Sequence, residues 1–187
     1  GEVGKTYTIR ATYKDFSAHS TTHIPYRATF DSIRVTEHNT KMNIVGYANN
    51  LKIGIPYIIM ARTTDQRQYK ICPMGAFRAN NSNMAITINN PLNFTDENIM
   101  QQTLFPKKDS ISIAIKFAEI GEEEYQFWNS FIAQNMTQGV FFMETHSNII
   151  SNIQNGNGYW CGMGSTEYIV KLNKTNLYIF DNQSIRN

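Results

Sequence analysis

The chain has 187 residues, enough for one large domain or for one domain with part of another. Hydrophobic residues make up 41% and charged residues only 17%, and 21 asparagines supply the polarity that Lys and Glu usually carry, a composition common among exported β proteins. The formal net charge is +2 and Lys107-Lys108 is the only adjacent basic pair, so there is no phosphate-reading stripe and nucleic-acid binding is not expected.

No apolar run approaches the roughly 20 residues of a membrane helix. The start at Gly1-Glu2-Val3-Gly4 reads as that of a fragment whose leader has been removed, so the lack of a targeting segment says nothing about compartment. Cys72 and Cys161 lie too far apart for a Cys-x-x-Cys redox or zinc spacing. They are expected to be free thiols packed as small hydrophobes.

Period-2 alternation dominates the chain. Thr6 to Tyr13 puts Tyr7, Ile9, Ala11 and Tyr13 on one face, of which Tyr7, Ile9 and Ala11 are predicted to point inward, and after a turn at Lys14-Asp15-Phe16 a returning strand runs from Ser20 to Ile24 and stops at Pro25. Phe30 to Val35, Met42 to Ala48 and Pro56 to Thr63 are β-rich, and Gln68 to Cys72 extends the pairing as far as Pro73. Residues 73–82 read as irregular, Met84 to Ile88 as a short strand, and 89–108 as a long connection in which Asp96 to Gln102 makes a helical turn. Ser110 to Phe117 alternates cleanly, with Ile111, Ile113, Ile115 and Phe117 inward.

Glu122 to Met136 breaks the β pattern. Tyr125, Trp128, Ile132 and Met136 fall on one helical stripe with Phe131 beside it. Gly121 serves as N-cap, three glutamates in the first turn suit the positive end of the helix dipole, and Gly139 ends the helix. Glu167 to Leu172 and Leu177 to Phe180 close the chain as strands around an Asn173-Lys174-Thr175-Asn176 turn. Many antiparallel strands with one amphipathic helix predict a mainly β fold, an antiparallel barrel or sandwich with the helix packed on it. The domain reading is a β-hairpin over 1–26 and an antiparallel β domain with one helix over 27–187.

Chemistry-bearing constellations are sparse. His19 and His23 share a strand face about 13 Å apart, from a rise of about 3.3 Å per residue, too far for one metal. The Glu122-Glu123-Glu124 run lacks the alternating ligands and Gly bend of a calcium loop. Glu144 and His146 lie near the Asn/Gly stretch but have no third partner nearby in sequence. No nucleophile elbow, phosphate loop or dinucleotide fingerprint occurs. No catalytic residue, cofactor or metal site is predicted, and the chain is read as non-enzymatic.

The most informative segment is Ser151 to Gly164, where Asn and Gly recur around the aromatic pair Tyr159-Trp160. Gly156 and Gly158 are expected to hold backbone conformations that a β-branched residue would strain, and a bulged strand is expected to follow. Aromatic rings on loops stack on sugars or anchor partners, and Asn amides bond hydroxyls. Tyr159, Trp160, Asn152, Asn155 and Asn157 are therefore the candidate ligand-binding residues. The competing reading makes the same segment a folding device, with one ring in the core and one at the surface.

Three stretches carry a family resemblance. Gly4-Lys5-Thr6-Tyr7-Thr8-Ile9, with Ala18 and Thr21-Thr22-His23-Ile24-Pro25, is similar to the last strands of an immunoglobulin-like domain, and Phe30-Asp31-Ser32-Ile33 is similar to the start of the next domain. Tyr125 to Gln134, then Ser151-Asn152-Ile153, Asn155-Gly156, Gly158-Tyr159-Trp160 and Gly162, resembles the closing signature of a set of Bacteroidetes lipoproteins known as domain of unknown function 4249. The chain departs from that pattern in having no lipid-modified Cys, in lacking most of the preceding immunoglobulin-like domain, and in carrying Asn49 or Asn50 where an acidic residue is usual. The resemblance implies an outer-membrane lipoprotein of the cell envelope, periplasmic or at the cell surface, touching the membrane only through a lipid anchor that this stretch does not carry. It further implies an accessory or ligand-binding component of TonB-dependent nutrient uptake, with a TonB-dependent receptor as partner and a glycan or peptide as ligand. A structural or adhesive cell-surface role is the alternative.

Overall fold

A computed structural model describes residues 1–38, 41–88, 105–106, 110–137, 150–173 and 177–181. In chain order its elements are β1 (Thr6–Tyr13), β2 (Phe16–His23), β3 (Ser32–His38), β4 (Lys41–Ala48), β5 (Pro56–Thr63), β6 (Lys70–Arg78), β7 (Met84–Ile88), β8 (Phe105–Pro106), β9 (Ser110–Glu119), α1 (Glu122–Thr137), β10 (Gly164–Asn173) and β11 (Leu177–Asp181). Every strand pairing is antiparallel. One sheet runs β3-β4-β7, with the short β8 also on β4, and a five-stranded sheet runs β11-β10-β9-β5-β6.

The two sheets pack face to face. Ile33, Ile44, Ile86 and Ile88 of the first meet Tyr57, Ile59, Ile113, Ile115, Phe117 and Val170 of the second in one continuous core. Phe117 sits at its centre, stacked on Phe30 with ring centroids 4.3 Å apart and flanked by Tyr57 at 5.6 Å. Each such side chain stabilises the fold by about 1.5–3 kcal/mol through burial. The fold is thus mainly β and sandwich-like, and among the described residues the sheets do not close into a barrel.

The opposite face of the five-stranded sheet is covered by α1. Ile58, Met60, Ile71, Ala76 and Ala118 form a second cluster with Ile132, and Tyr125 and Trp128 pack at its margin. The predicted stripe is therefore the packed one; the Met136 side chain lies outside the described residues. Covered on both sides, β5 is buried without a break from Pro56 to Ala61, which is why its sequence is an apolar run rather than an alternation. Arg78 fixes the start of the helix to β6. It donates to both Glu122 oxygens at 2.5 and 2.6 Å, and its guanidinium lies 4.5 Å from the Tyr125 ring centroid.

Three sequence expectations need correction. First, β6 does not stop at Pro73 but continues to Arg78. Its register against β5 shifts between Ile58 and Met60, whose partners are Ala76 and Ile71. The extra residues form a bulge in β6, and Gly75 adopts φ 71° there. A proline is tolerated because β6 is an edge strand whose bulge needs no ladder bond at that residue. Second, β10 pairs with β9 in unbroken register from Gly164 to Asn173, without the expected bulge.

Third, the β1 face does not point inward. The hairpin forms its own two-stranded sheet, turning through Lys14 at φ 51°. Tyr7, Ile9, Ala11 and Tyr13 do share a face, opposite Thr22, Ser20, Ala18 and Phe16. That face is covered only along the middle of β2: Ser20 is buried, whereas Phe16 at the start of β2 is 56% exposed and, across the hairpin, Ile9 is 46% and Tyr13 72% exposed. A two-stranded sheet buries a side chain only where another segment lies over it, and here that segment reaches β2 alone. The expected Asp96 to Gln102 turn, Gly139, and the Glu144–His146 pair lie outside the described residues.

Candidate functional site

The segment over β2 is the Asn/Gly stretch itself. His19 N–H donates to the Gln154 carbonyl at 3.2 Å and Gln154 N–H returns the bond at 2.9 Å, so the loop adds one bridge to the free edge of β2. The Asn155 amide donates to the Ser17 carbonyl at 3.2 Å, and Gly162 N–H donates to the Thr22 hydroxyl at 2.9 Å. The loop therefore fastens the hairpin to the main body at three successive points along β2.

Its internal geometry is built by side chains acting as backbone surrogates. Asn152 closes a ring on Trp160, its amide donating to the Trp160 carbonyl at 2.7 Å and its oxygen accepting from Trp160 N–H at 2.9 Å. Ser151 Oγ accepts from Ile153 N–H and Gly158 N–H and donates to the Gly156 carbonyl. Asn155 takes φ 60° and Gly158 φ 137°. The predicted strain thus holds for Gly158 but not for Gly156, whose place in the left-handed region is taken by Asn155, a residue that tolerates it through local hydrogen bonding. Gly156 is constrained sterically instead: a Cβ there would lie 3.0 Å from Ile153 Cγ2.

Tyr159 leaves the loop toward α1. Its ring stacks on Phe127 with centroids 4.3 Å apart and planes 14° from parallel, and Phe127 in turn meets Trp128 edge-on. Between this stack, the end of β2 and the first turn of α1 lies a cavity of about 220 Å³, lined by Thr22, His23, Glu123, Glu124, Asn152, Tyr159 and Cys161 among others.

Glu124 is the unexpected member. Of the three first-turn glutamates only this one is buried, at 3% exposure, because it falls four residues before Trp128 and eight before Ile132 on the packed stripe. It accepts from Trp128 Nε1 at 3.4 Å. Burial raises the pKa of its carboxyl, while hydrogen bonds from the Cys161 thiol, Trp128 and Gly121 N–H pull the other way. Burial and then the neighbouring Glu124 raise the pKa of the Cys161 thiol, and the same two effects raise that of the Tyr159 hydroxyl. Each of these groups is thus pushed toward its neutral form. A protonated thiol and phenol are poor nucleophiles and bases at neutral pH.

The structure brings Asn152 and Tyr159 together at this cavity, and Asn152 holds the Trp160 backbone. It sends Asn155 to β2 and leaves Asn157 exposed at the loop tip. Tyr159 and Trp160 are both half-buried. Glu124 and Cys161 were missed by sequence reasoning, although the i, i+4, i+8 spacing of Glu124, Trp128 and Ile132 carried the signal. Cys72 and Cys161 are free thiols, Cys72 fully buried in the sandwich core. Among the described residues no three His, Cys, Asp or Glu side chains gather as a metal site requires, and no helix is long and apolar enough to cross a membrane.

Residues 1–169 match the family described as Domain of unknown function (DUF4249), and the chain belongs to that family. No curated protein and no solved structure is matched.

Proposed function

We propose that this DUF4249 chain is a non-enzymatic component of the cell envelope, lipid-anchored at the outer membrane in its parent protein, that serves a TonB-dependent uptake system as an accessory or ligand-binding partner. The observation that carries the reading is the state of the loop cavity. Its walls are held by hydrogen bonds made before any ligand arrives, and burial holds the Cys161 thiol and the Tyr159 phenol in their protonated forms, which suits recognition rather than thiolate chemistry. The Asn152 amide is spent on Trp160, so the contact surface offered to a receptor or a glycan or peptide ligand is Tyr159 in the cavity with Trp160 and the exposed Asn157 on the same loop.

The test is co-purification of the full lipoprotein, in detergent, with the TonB-dependent receptor encoded beside it. Retention of the receptor, weakened by Asn157→Ala and Tyr159→Ala in protein that melts cooperatively, supports the proposal. Absence of the receptor under conditions that preserve it folded, together with unimpaired nutrient uptake in a deletion strain, refutes it. A structural or adhesive surface role is the second reading, and the exposed apolar residues of the hairpin, Ile9, Tyr13 and Phe16, favour it. Loss of surface attachment on replacing those three by Ser, with uptake intact, would select it.

A further inference from the structure

A second cleft, lined by none of the residues that line the loop cavity, lies between the segment that leaves the hairpin and the β4–β5 connection. Its volume is about 400 Å³, within the roughly 300–1,000 Å³ of small-ligand pockets. Both walls are pinned from behind. Phe30 N–H donates to the Tyr168 hydroxyl at 2.7 Å, and Ala28 N–H donates to the Gly164 carbonyl at 3.1 Å. Across the cleft, Asn49 N–H donates to Asp31 Oδ2 at 2.6 Å, Lys52 N–H to the Tyr57 hydroxyl at 3.1 Å, and Leu51 N–H to the Ser82 carbonyl at 2.9 Å. Asn50 takes φ 70°, which turns the Asn49-Asn50 pair out at the rim. Little ordering is left to do when a ligand arrives.

Four charged side chains line it, Arg27 and Lys52 against Asp31 and Glu119, so the formal charges balance. Lys52 Nζ holds both Glu119 oxygens at 3.1 and 3.2 Å and lies 4.9 Å from the Tyr26 ring centroid. Tyr26 is 65% exposed although its segment is fixed. An exposed ring on a rigid frame, with Lys52 over one face and with Arg27, Asp31, Glu119 and two amides around it, offers its other face as a flat apolar platform amid donors and acceptors. A ligand with one uncompensated charge gains little from a floor that is neutral as a pair. A neutral polyhydroxylated ligand satisfies both signs of partner at once and lays its C–H face on the ring.

The geometry points to this cleft as a saccharide-binding site, with Tyr26 as the stacking platform and Asp31, Asn49, Asn50 and Glu119 as hydroxyl partners. The inference rests on the reading of the chain as a ligand-binding component, but its test is independent of receptor co-purification, which reads the loop. The full chain is titrated with maltose, cellobiose and chitobiose while backbone amide NMR shifts are followed, with glutamate and lysine as counter-probes of net negative and net positive charge. Saturable shifts centred on residues 26–31 and 49–52 are expected with at least one saccharide. Tyr26→Ala should weaken that binding at least tenfold. Asn50→Gly, which keeps the left-handed backbone, should weaken it several-fold without lowering the melting temperature. No saturable shift with any of the three, shifts centred elsewhere, equal affinity in Tyr26→Ala, or tighter binding of the amino acids overturns the assignment.

Discussion

Replacing Asn152 by Ala separates a backbone clamp from a ligand contact. The wild-type side chain makes two hydrogen bonds to Trp160, at 2.7 and 2.9 Å, in a half-buried setting. Each bond contributes about 0.5–1.5 kcal/mol net, and Ala leaves the Trp160 N–H and carbonyl without those partners, so the loss should total about 1–3 kcal/mol. For a chain of this size each kcal/mol moves the melting temperature by about 2–4 °C, giving a fall of about 2–12 °C. Asn157→Ala is the control. Asn157 is exposed at the loop tip, so its removal should change stability by no more than about 0.5 kcal/mol. Thermal unfolding followed by far-ultraviolet circular dichroism measures both. If Asn152→Ala melts with the parent protein, the ring to Trp160 contributes nothing and the amide is available to a ligand after all.

Three further outcomes follow from the geometry. A Cβ on Gly164 would overlap the backbone of Pro25 and Tyr26, and moving that segment would strain the Ala28 N–H bond to the Gly164 carbonyl; Gly164→Ala should therefore cost about 2–4 kcal/mol by denaturant unfolding, whereas an unchanged midpoint would show that the segment is not pinned. Glu124 has a folded pKa raised above its usual value of 4.5, so the native state binds the extra proton and its stability falls as pH rises from 4.5 through the raised value. Glu124→Gln should remove that contribution, so the difference in melting temperature between variant and parent should grow across this window; a pH-independent difference refutes the buried carboxyl. Burial pushes the Cys72 thiol to about 12 and raises that of Cys161 as well, so alkylation at pH 7 should be slow for both until denaturant is added, and rapid native modification of Cys161 would contradict its setting.

Element type was local information. The alternation of Ile113, Ile115 and Phe117, the apolar run from Pro56 to Ala61 and the stripe of Tyr125, Trp128 and Ile132 each specify a strand or helix and the face it must bury. Period-2 and period-3.6 patterns are properties of adjacent residues, and they were legible without the fold. The hairpin was legible in the same sense, down to which residues share a face. What covers that face was not, because Ser20 is buried and Ile9 exposed only through a loop more than a hundred residues later in the chain. Pro73 marked a strand end in sequence, and only the position of β6 at the sheet edge allowed the strand to continue past it.

The site shows the same division. The Asn/Gly stretch announced an unusual backbone, and Gly158 adopts one. Whether Asn152 and Asn155 faced a ligand or the chain itself depended on where β2 and Trp160 lay, and both turned toward the chain. Glu124 looked like its two neighbours in the first turn and became a buried carboxyl only when α1 packed on the sheet and Tyr159 closed over Phe127. The saccharide cleft left no pattern at all in the sequence, since its two walls come from segments whose spacing is set by Phe30, Tyr57 and Tyr168 meeting in the core. Local propensity decides which structures a segment can adopt; desolvation and long-range packing decide which of its side chains are left facing water.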